Sequence, residues 1–416
     1  MEPVHILGVG MTPFGRHAGA SVRGLAESAA REALADAGIG AEAVQAIAFG
    51  NAVQGAMEGQ FGIRGQVALR GLPFDGVPVV NVENACASAS TALAVAVMQV
   101  RAGMAEVALA VGAEKMTHAD PARSLAAFEG SWERADREAT LARLAALGAG
   151  MAVPEEEAAG GGARSVFMDV YAAFARFHMA RFGTTRAQIA AVCAKNHGHS
   201  VHNPRAQYRR PFTVEEVLAA RPVAWPLTLP MCSPVSDGAA AAVVASEAAA
   251  RRIGLGRAVR LRACVMMAGG RREPEAYEAH IARRAAARAY GEAGIGPESV
   301  SVVECHDATA FGELQMTELL GLCPLGQGGA LAESGATTLG GRVPVNPSGG
   351  LESKGHPIGA TGLGMVHELV TQLRGEAGAR QVPAARIGLA ENGGGLMGVE
   401  EAAVAVTILE APGRGA

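Results

Sequence analysis

Apolar and polar positions alternate along this chain in a repeating grammar. Val4–Val9, Val44–Asn51, Val77–Val82 and Glu106–Val111 are short, mostly apolar runs bounded by Gly or polar residues, the pattern of buried strands. Between the first two lies Val22–Ala37, apolar at helical spacing, with Gly38 placed as a C-cap. Strand, helix, strand predicts a βαβ unit and a parallel sheet. The stretch Asn81–Gly103 (NVENACASASTALAVAVMQVRAG) passes from a polar turn into an Ala-rich run without Gly or Pro until its end. It predicts a helix that starts near Cys86 and is buried on most sides.

The grammar returns late in the chain. Residues 31–53 read REALADAGIGAEAVQAIAFGNAV, and residues 288–309 read RAYGEAGIGPESVSVVECHDAT. Gly355–Arg374 is again a small-residue turn opening a helix, and Arg386–Ala390 reads as the strand after it. Two similar halves follow, 1–115 (completed by 226–253) and 254–416, although two βαβ units can also resemble each other by coincidence. In this alignment the turn holding Cys86 corresponds to the turn holding His356. A pseudo-twofold axis between the halves would bring both turns to one pocket. Residues 116–225 break the pattern and read as a loop insertion covering that pocket. They hold a charged stretch (Trp132–Arg143), an acidic Gly-rich loop (Pro154–Gly162), a helix (Ser165–Phe182) and a His-rich segment (His197, His199, His202). The histidines lack a second ligand cluster, so that segment is expected to be a solvated turn rather than a metal site.

Composition narrows the class. Of 416 residues, 49% are hydrophobic and 18% charged, which suits a globular chain with large cores. A net charge of −4 gives no electrostatic case for nucleic acid or an anionic membrane. The six cysteines are scattered without a CxxC pair, which argues against a zinc site or a disulfide framework. The N-terminus lacks the pattern of a signal peptide and no apolar run reaches membrane-spanning length, so a cytoplasmic protein is expected.

Three places carry candidate chemistry. At a helix start, free N–H groups and the helix dipole favour a thiolate at Cys86 and hence a nucleophile. A buried structural cysteine is the other reading of that stretch. His306 ends the strand Val302–His306, where ligands bind in α/β sheets, and is placed to donate to a carbonyl oxygen. Glu391–Gly398 (ENGGGLMG) reads as a glycine turn whose N–H groups can approach a ligand closely.

The segments NVENACASAS, CSPVSDGAAAAV, HDATAFGEL, NPSGGLESKGHPIGATG and GGGLMG occur in this order along nearly the whole chain. Together they resemble the thiolase superfamily, and the HDA segment is most similar to the sterol-carrier-protein-type thiolases and thiolase-like lipid-transfer proteins. The resemblance implies a five-layered αβαβα fold and a homodimer or dimer of dimers. It implies an acyl-Cys86 intermediate formed from an acyl-CoA, with coenzyme A as co-substrate and neither a bound cofactor nor a metal. His356 would activate Cys86, His306 would bind the thioester oxygen, and the N–H groups of Cys86, Gly394 and Gly395 would hold an oxyanion. Ser348 and Asn392 would contact substrate.

The chain departs from the family at the second acid/base. Biosynthetic thiolases carry a cysteine just before the final glycines, where this chain has Glu391 and Asn392. The sterol-carrier type has HDC where this chain has Ala308. Glu391 is the candidate substitute, unless it only hydrogen-bonds the glycine segment. The expected reaction is acyl transfer that cleaves or forms a carbon–carbon bond of a β-ketoacyl-CoA. Phe128, Trp132, Phe167, Phe174 and Phe177 of the insertion would suit a bulky or aromatic acyl group, or simply pack a core. The alternatives are a retro-aldolase on a CoA ester with a small OB-fold, zinc-ribbon partner, and a non-catalytic lipid- or CoA-binding protein.

Overall fold

The computed structural model describes residues 2–158 and 164–413. Its first half holds β1 (Val4–Met11), α1 (Val22–Ala37), β2 (Ala46–Gly50), β3 (Val79–Val82), α2 (Ser88–Arg101) and β4 (Val107–Glu114). Gly38 caps α1 at φ 68, a left-handed conformation that glycine adopts without strain. The insertion contributes two long helices, α3 (Val166–Phe182) and α4 (Arg186–Ser200), before β5 (Gly238–Ser246) returns to the first half. The second half follows with β6 (Val259–Ala268), α5 (Ile281–Ala293), β7 (Val302–Glu304), α6 (Ala310–Leu319), α7 (Thr361–Arg374), β8 (Ile387–Met397) and β9 (Glu400–Glu410).

Among the described residues these strands form one sheet in the order β3-β2-β4-β5-β1-β6-β9-β8-β7. The order is palindromic about the β1–β6 junction, where Val4 pairs with Leu261 and Ile6 with Val259 in antiparallel register. Even the missing counterpart of β3 is marked, by an isolated parallel bridge between Val303 and Val345. The expected parallel sheet is instead mixed. β5 runs antiparallel to both β1 and β4, and β9 runs antiparallel to both β6 and β8.

Burial separates the layers. α1 covers the outer face of the first half-sheet, in a core with Ile47, Leu109 and Val243. α5 and α6 do the same for the second half, with Val303, Leu389 and Val406. Between the half-sheets lie α2 and α7, whose Ala89, Ala92, Leu363 and Leu369 share one core with the inner faces of both. This is the five-layered αβαβα arrangement. It explains the alanine-rich helices, because a helix pinched between two sheets needs small side chains on several faces. Where α2 and α7 cross, a Cβ on Gly362 would lie 2.0 Å from Ser90 Oγ, so only glycine permits the approach.

Several sequence expectations change. Glu391–Met397 is not a turn but the second part of β8, paired with β9 at every residue except Gly395. The extended backbone persists because glycines face crowded neighbours there, and the bend is confined to Gly395 at φ 65. The His-rich segment is the end of α4, not a solvated turn. His197 and His199 are buried, with rings hydrogen-bonded to Pro230 O and Asn346 O, and only His202 is exposed. Packing against the 346–353 segment supplies an apolar environment that polar residues at i, i+2 spacing do not announce. In the acidic loop, residues 155–158 form a helical turn, and residues 159–163 lie outside the described residues. Among the described residues no helix is long and apolar enough to cross a membrane.

Candidate active site

Cys86 sits one turn earlier than a helix start. It occupies a 3-10 turn, Ala85–Ala87, that precedes α2. Ala85 takes φ 47, an uncommon conformation for a residue with a Cβ. Local bonds hold it there: Ser88 Oγ donates to Ala85 O at 2.7 Å and accepts from Asn84 N at 2.9 Å. From the other side, a Cβ on Gly394 would lie 2.2 Å from Asn84 O, so β8 presses directly on this turn. The N–H groups of Cys86 and Gly395 act on the sulfur, each favouring the thiolate.

His356 arrives from the turn before α7. Its Nε2 lies 3.3 Å from Cys86 Sγ, and its Nδ1 lies 2.7 Å from Thr361 Oγ1. Thr361 Oγ1 donates its own hydrogen to Pro357 O at 3.1 Å. The hydroxyl must therefore accept from Nδ1–H, which leaves the Nε2 lone pair facing the thiol. This is the geometry of a base poised on a nucleophile.

The expected resident thiolate is not what the surroundings favour. Burial pushes the Cys86 thiol up to about 12, with Glu114 and Glu83 adding to the rise and the two N–H groups opposing it. Burial also holds His356 well below its usual range, helped by His306 and Lys354. The resting pair is neutral thiol and neutral imidazole. A helix start supplies too small a field to offset desolvation of the sulfur, so proton transfer to His356 must accompany attack.

His306 completes the cluster. Its ring centroid is 5.2 Å from that of His356, and donor atoms of Cys86, His306 and His356 lie within 4.8 Å of one another. Burial holds His306 down to about 4, so the ring is neutral. Among the described residues its buried Nε2 has no hydrogen-bond partner, so its N–H is free to donate to a carbonyl oxygen.

These groups open on a cavity of about 680 Å³ under the insertion. Phe128, Phe167 and Phe174 line it, joined by Tyr171 and Phe212. Trp132 and Phe177 do not; they pack in cores instead.

Gly394 and Gly395 line the cavity, whereas three other sequence candidates face elsewhere. Ser348 Oγ donates to Glu304 Oε2 at 2.6 Å, beside a buried Glu304–Lys354 ion pair. Asn392 accepts from Ser90 Oγ at 2.8 Å, in the middle layer. Glu391 is turned toward the backbone of His306, accepting from its N–H at 3.1 Å. Successive residues of β8 point to opposite faces, which takes Glu391 and Asn392 to either side of the strand, and the buried Glu304 draws Ser348 inward. The sequence reading missed Thr361, Tyr171 and Glu401. Thr361 follows GHPIG by spacing alone, while Tyr171 and Glu401 come from a distant helix and a distant strand.

The match to the family model described as "Thiolase, N-terminal domain" covers residues 4–248, and that to "Thiolase C-terminal domain-like" covers 271–409. Sterol carrier protein 2 of Oryctolagus cuniculus is 37% identical over 404 residues, 94% of this chain and 69% of that protein. Benzoylsuccinyl-CoA thiolase subunit BbsB of Thauera aromatica is 34% identical over 94% of each chain. The solved structure titled Ltp2-ChsH2(DUF35) aldolase superposes with a TM-score of 0.77 at 24% identity, over 99% of this chain and 98% of that one.

Proposed function

This chain belongs to the thiolase family and is an acyltransferase, and from that premise we propose that it transfers bulky or aromatic acyl groups of CoA thioesters through acyl-Cys86. The observation that carries the reading is the 3.3 Å Cys86–His356 contact with the His356 lone pair aimed at sulfur. Cys86 attacks the carbonyl carbon as His356 takes the thiol proton. The oxyanion accepts hydrogen bonds from His306 Nε2–H and from the N–H groups at the sulfur, each worth about 3–4 kcal/mol in the transition state. Splitting a β-ketoacyl-CoA releases a shorter acyl-CoA and leaves the acyl group on Cys86, and coenzyme A then takes it up.

The aromatic lining of the cavity supports a bulky acyl group, as does the similarity to a thiolase subunit named for benzoylsuccinyl-CoA. Arg16, Arg164 and Arg210 line the same cavity, cations that suit the phosphates of coenzyme A. A retro-aldolase has no use for a base held on a cysteine, so the acyl-transfer reading is the stronger. A homodimer belongs to the proposal: β3 is an edge strand, and Phe61, Ile63 and Val80 beside it are exposed. Intact-protein mass after mixing with benzoyl-CoA tests the core of the reading. Wild type is expected to gain one acyl group and Cys86→Ala none; equal labelling of both proteins would refute it.

A further inference from the structure

With cysteine absent from both positions where the family carries its second acid/base, the group that moves the substrate-carbon proton must come from elsewhere in the cavity. The lining carboxylates include Glu352, Glu400 and Glu401. Glu352 is 1% exposed, and its Oε1 accepts from Asn196 Nδ2 at 3.0 Å. Glu400 is saturated: its oxygens take Arg272 Nε at 3.0 Å, Ile281 N at 2.8 Å and Gly270 N at 3.0 Å. Glu401 differs from both. Its side chain keeps 16% of its surface accessible, where that of Glu400 keeps 1%.

Position favours it as well. Glu401 stands opposite Leu396, one residue beyond the Gly395 that faces the sulfur. A Cβ on Gly393 would lie 3.0 Å from Glu401 Cγ and 3.5 Å from His306 Nδ1, so the carboxyl and the carbonyl-binding histidine flank one glycine. His280 stands behind it, with Nε2 3.3 Å from Glu401 Oε2. His280 Nδ1 accepts from Ala282 N, so its neutral ring carries the hydrogen on Nε2, toward the carboxyl.

We propose that Glu401 is the second acid/base of the reaction, exchanging a proton with C2 of the acyl-CoA that leaves or joins acyl-Cys86. In cleavage the C2–C3 bond of the β-ketoacyl-CoA breaks as Cys86 bonds to C3. The electron pair left on C2 takes the proton of the Glu401 carboxyl. The sulfhydryl of coenzyme A then returns a proton to the Glu401 carboxylate as its sulfur attacks acyl-Cys86, and His356 gives its proton back to the departing Cys86 sulfur. In condensation the Glu401 carboxylate removes the C2 proton instead. Burial lifts the Glu401 carboxyl to about 7, so both forms are present at neutral pH. Its own backbone N–H opposes the rise, Glu400 beside it adds to it, and Arg272 opposes it. Glu391 on β8, Tyr171 on α3 and the neutral His280 and His306 are its other titratable neighbours.

The inference rests on the acyl-Cys86 reading, and the test separates the two. Exchange of the C2 protons of phenylacetyl-CoA with deuterated solvent is followed by mass spectrometry, and Cys86 acylation by benzoyl-CoA is measured alongside. Glu401→Gln should slow exchange by about 100-fold or more while acylation stays within about threefold. Glu401→Asp, which keeps the carboxyl, should retain a slower exchange that still rises with pH through neutrality, and Glu391→Gln should exchange like wild type. Exchange in Glu401→Gln within threefold of wild type overturns the assignment. So does loss of exchange in Glu391→Gln, or in Glu401→Asp to the level of the Gln variant with acylation intact, or a wild type that shows none. A wild type that exchanges but never acylates overturns the acyl-Cys86 reading instead.

Discussion

Thr361 is the residue on which the polarity of the Cys86–His356 pair depends. Its hydroxyl is the partner of His356 Nδ1, at 2.7 Å in a buried site. Thr361→Val keeps the shape of the side chain and removes the acceptor. A buried ring N–H then stands unpaired, at a cost of about 1–3 kcal/mol. The imidazole can escape that cost by moving its proton to Nε2, where it faces the sulfur and can no longer accept from it. Acylation of Cys86 should therefore slow by about 5- to 150-fold, the same free energy expressed as a rate. If the tautomer is held instead, the cost appears as lost stability. Rapid-quench mass spectrometry with benzoyl-CoA gives the rate, thermal unfolding gives the stability, and Thr361→Ser, which keeps the acceptor, should restore both. A Val variant within twofold of wild type in rate, with an unchanged melting temperature, would refute the tautomer argument.

Gly394→Ala should push the Cys86 turn out of place, since the added methyl meets Asn84 O at 2.2 Å and Ala87 N at 2.6 Å. About 1–3 kcal/mol of stability should go with it, and a variant that acylates and melts like wild type would contradict the packing described. Burial lifts the Glu391 carboxyl to about 8 from an ordinary 4.5. The unfolded chain releases that proton first, so between these two values the folded state binds more protons and stability falls as pH rises. Glu391→Gln should lose less stability than wild type between pH 5 and pH 8, by on the order of a few kcal/mol, and parallel denaturation curves at both pH values would rule this out. Val80→Lys on the β3 edge should convert a dimer to monomer in light scattering; an unchanged mass would place any dimer contact elsewhere.

The two similar halves and the turns holding Cys86 and His356 are legible in the sequence. Each depends on local pattern: Gly38 after an amphipathic run, AGIG recurring in both halves, Cys86 and His356 each beside an alanine- or glycine-rich helix start. The family motifs likewise single out Cys86 and His356, which the structure brings to 3.3 Å of each other. What local pattern could not give was direction. Alternation marks which residues share a face, but not which face meets the cavity. Asn392 and Ser348, expected at the substrate, and Glu391, expected as the second acid/base, therefore lie against Ser90, Glu304 and the His306 backbone. Nor could it give the protonation state of Cys86. The field of a helix start is written in the sequence, whereas desolvation depends on everything packed around the sulfur. Glu401 shows the same limit from the other side. In the sequence it is one of two adjacent glutamates on a late strand. Only the pairing of β9 with β8 and the approach of the segment 269–280 give Glu400 its Arg272 and leave Glu401 at the cavity wall. Contacts between residues far apart in the chain decide which carboxyl is saturated with donors and which keeps a surface on the cavity.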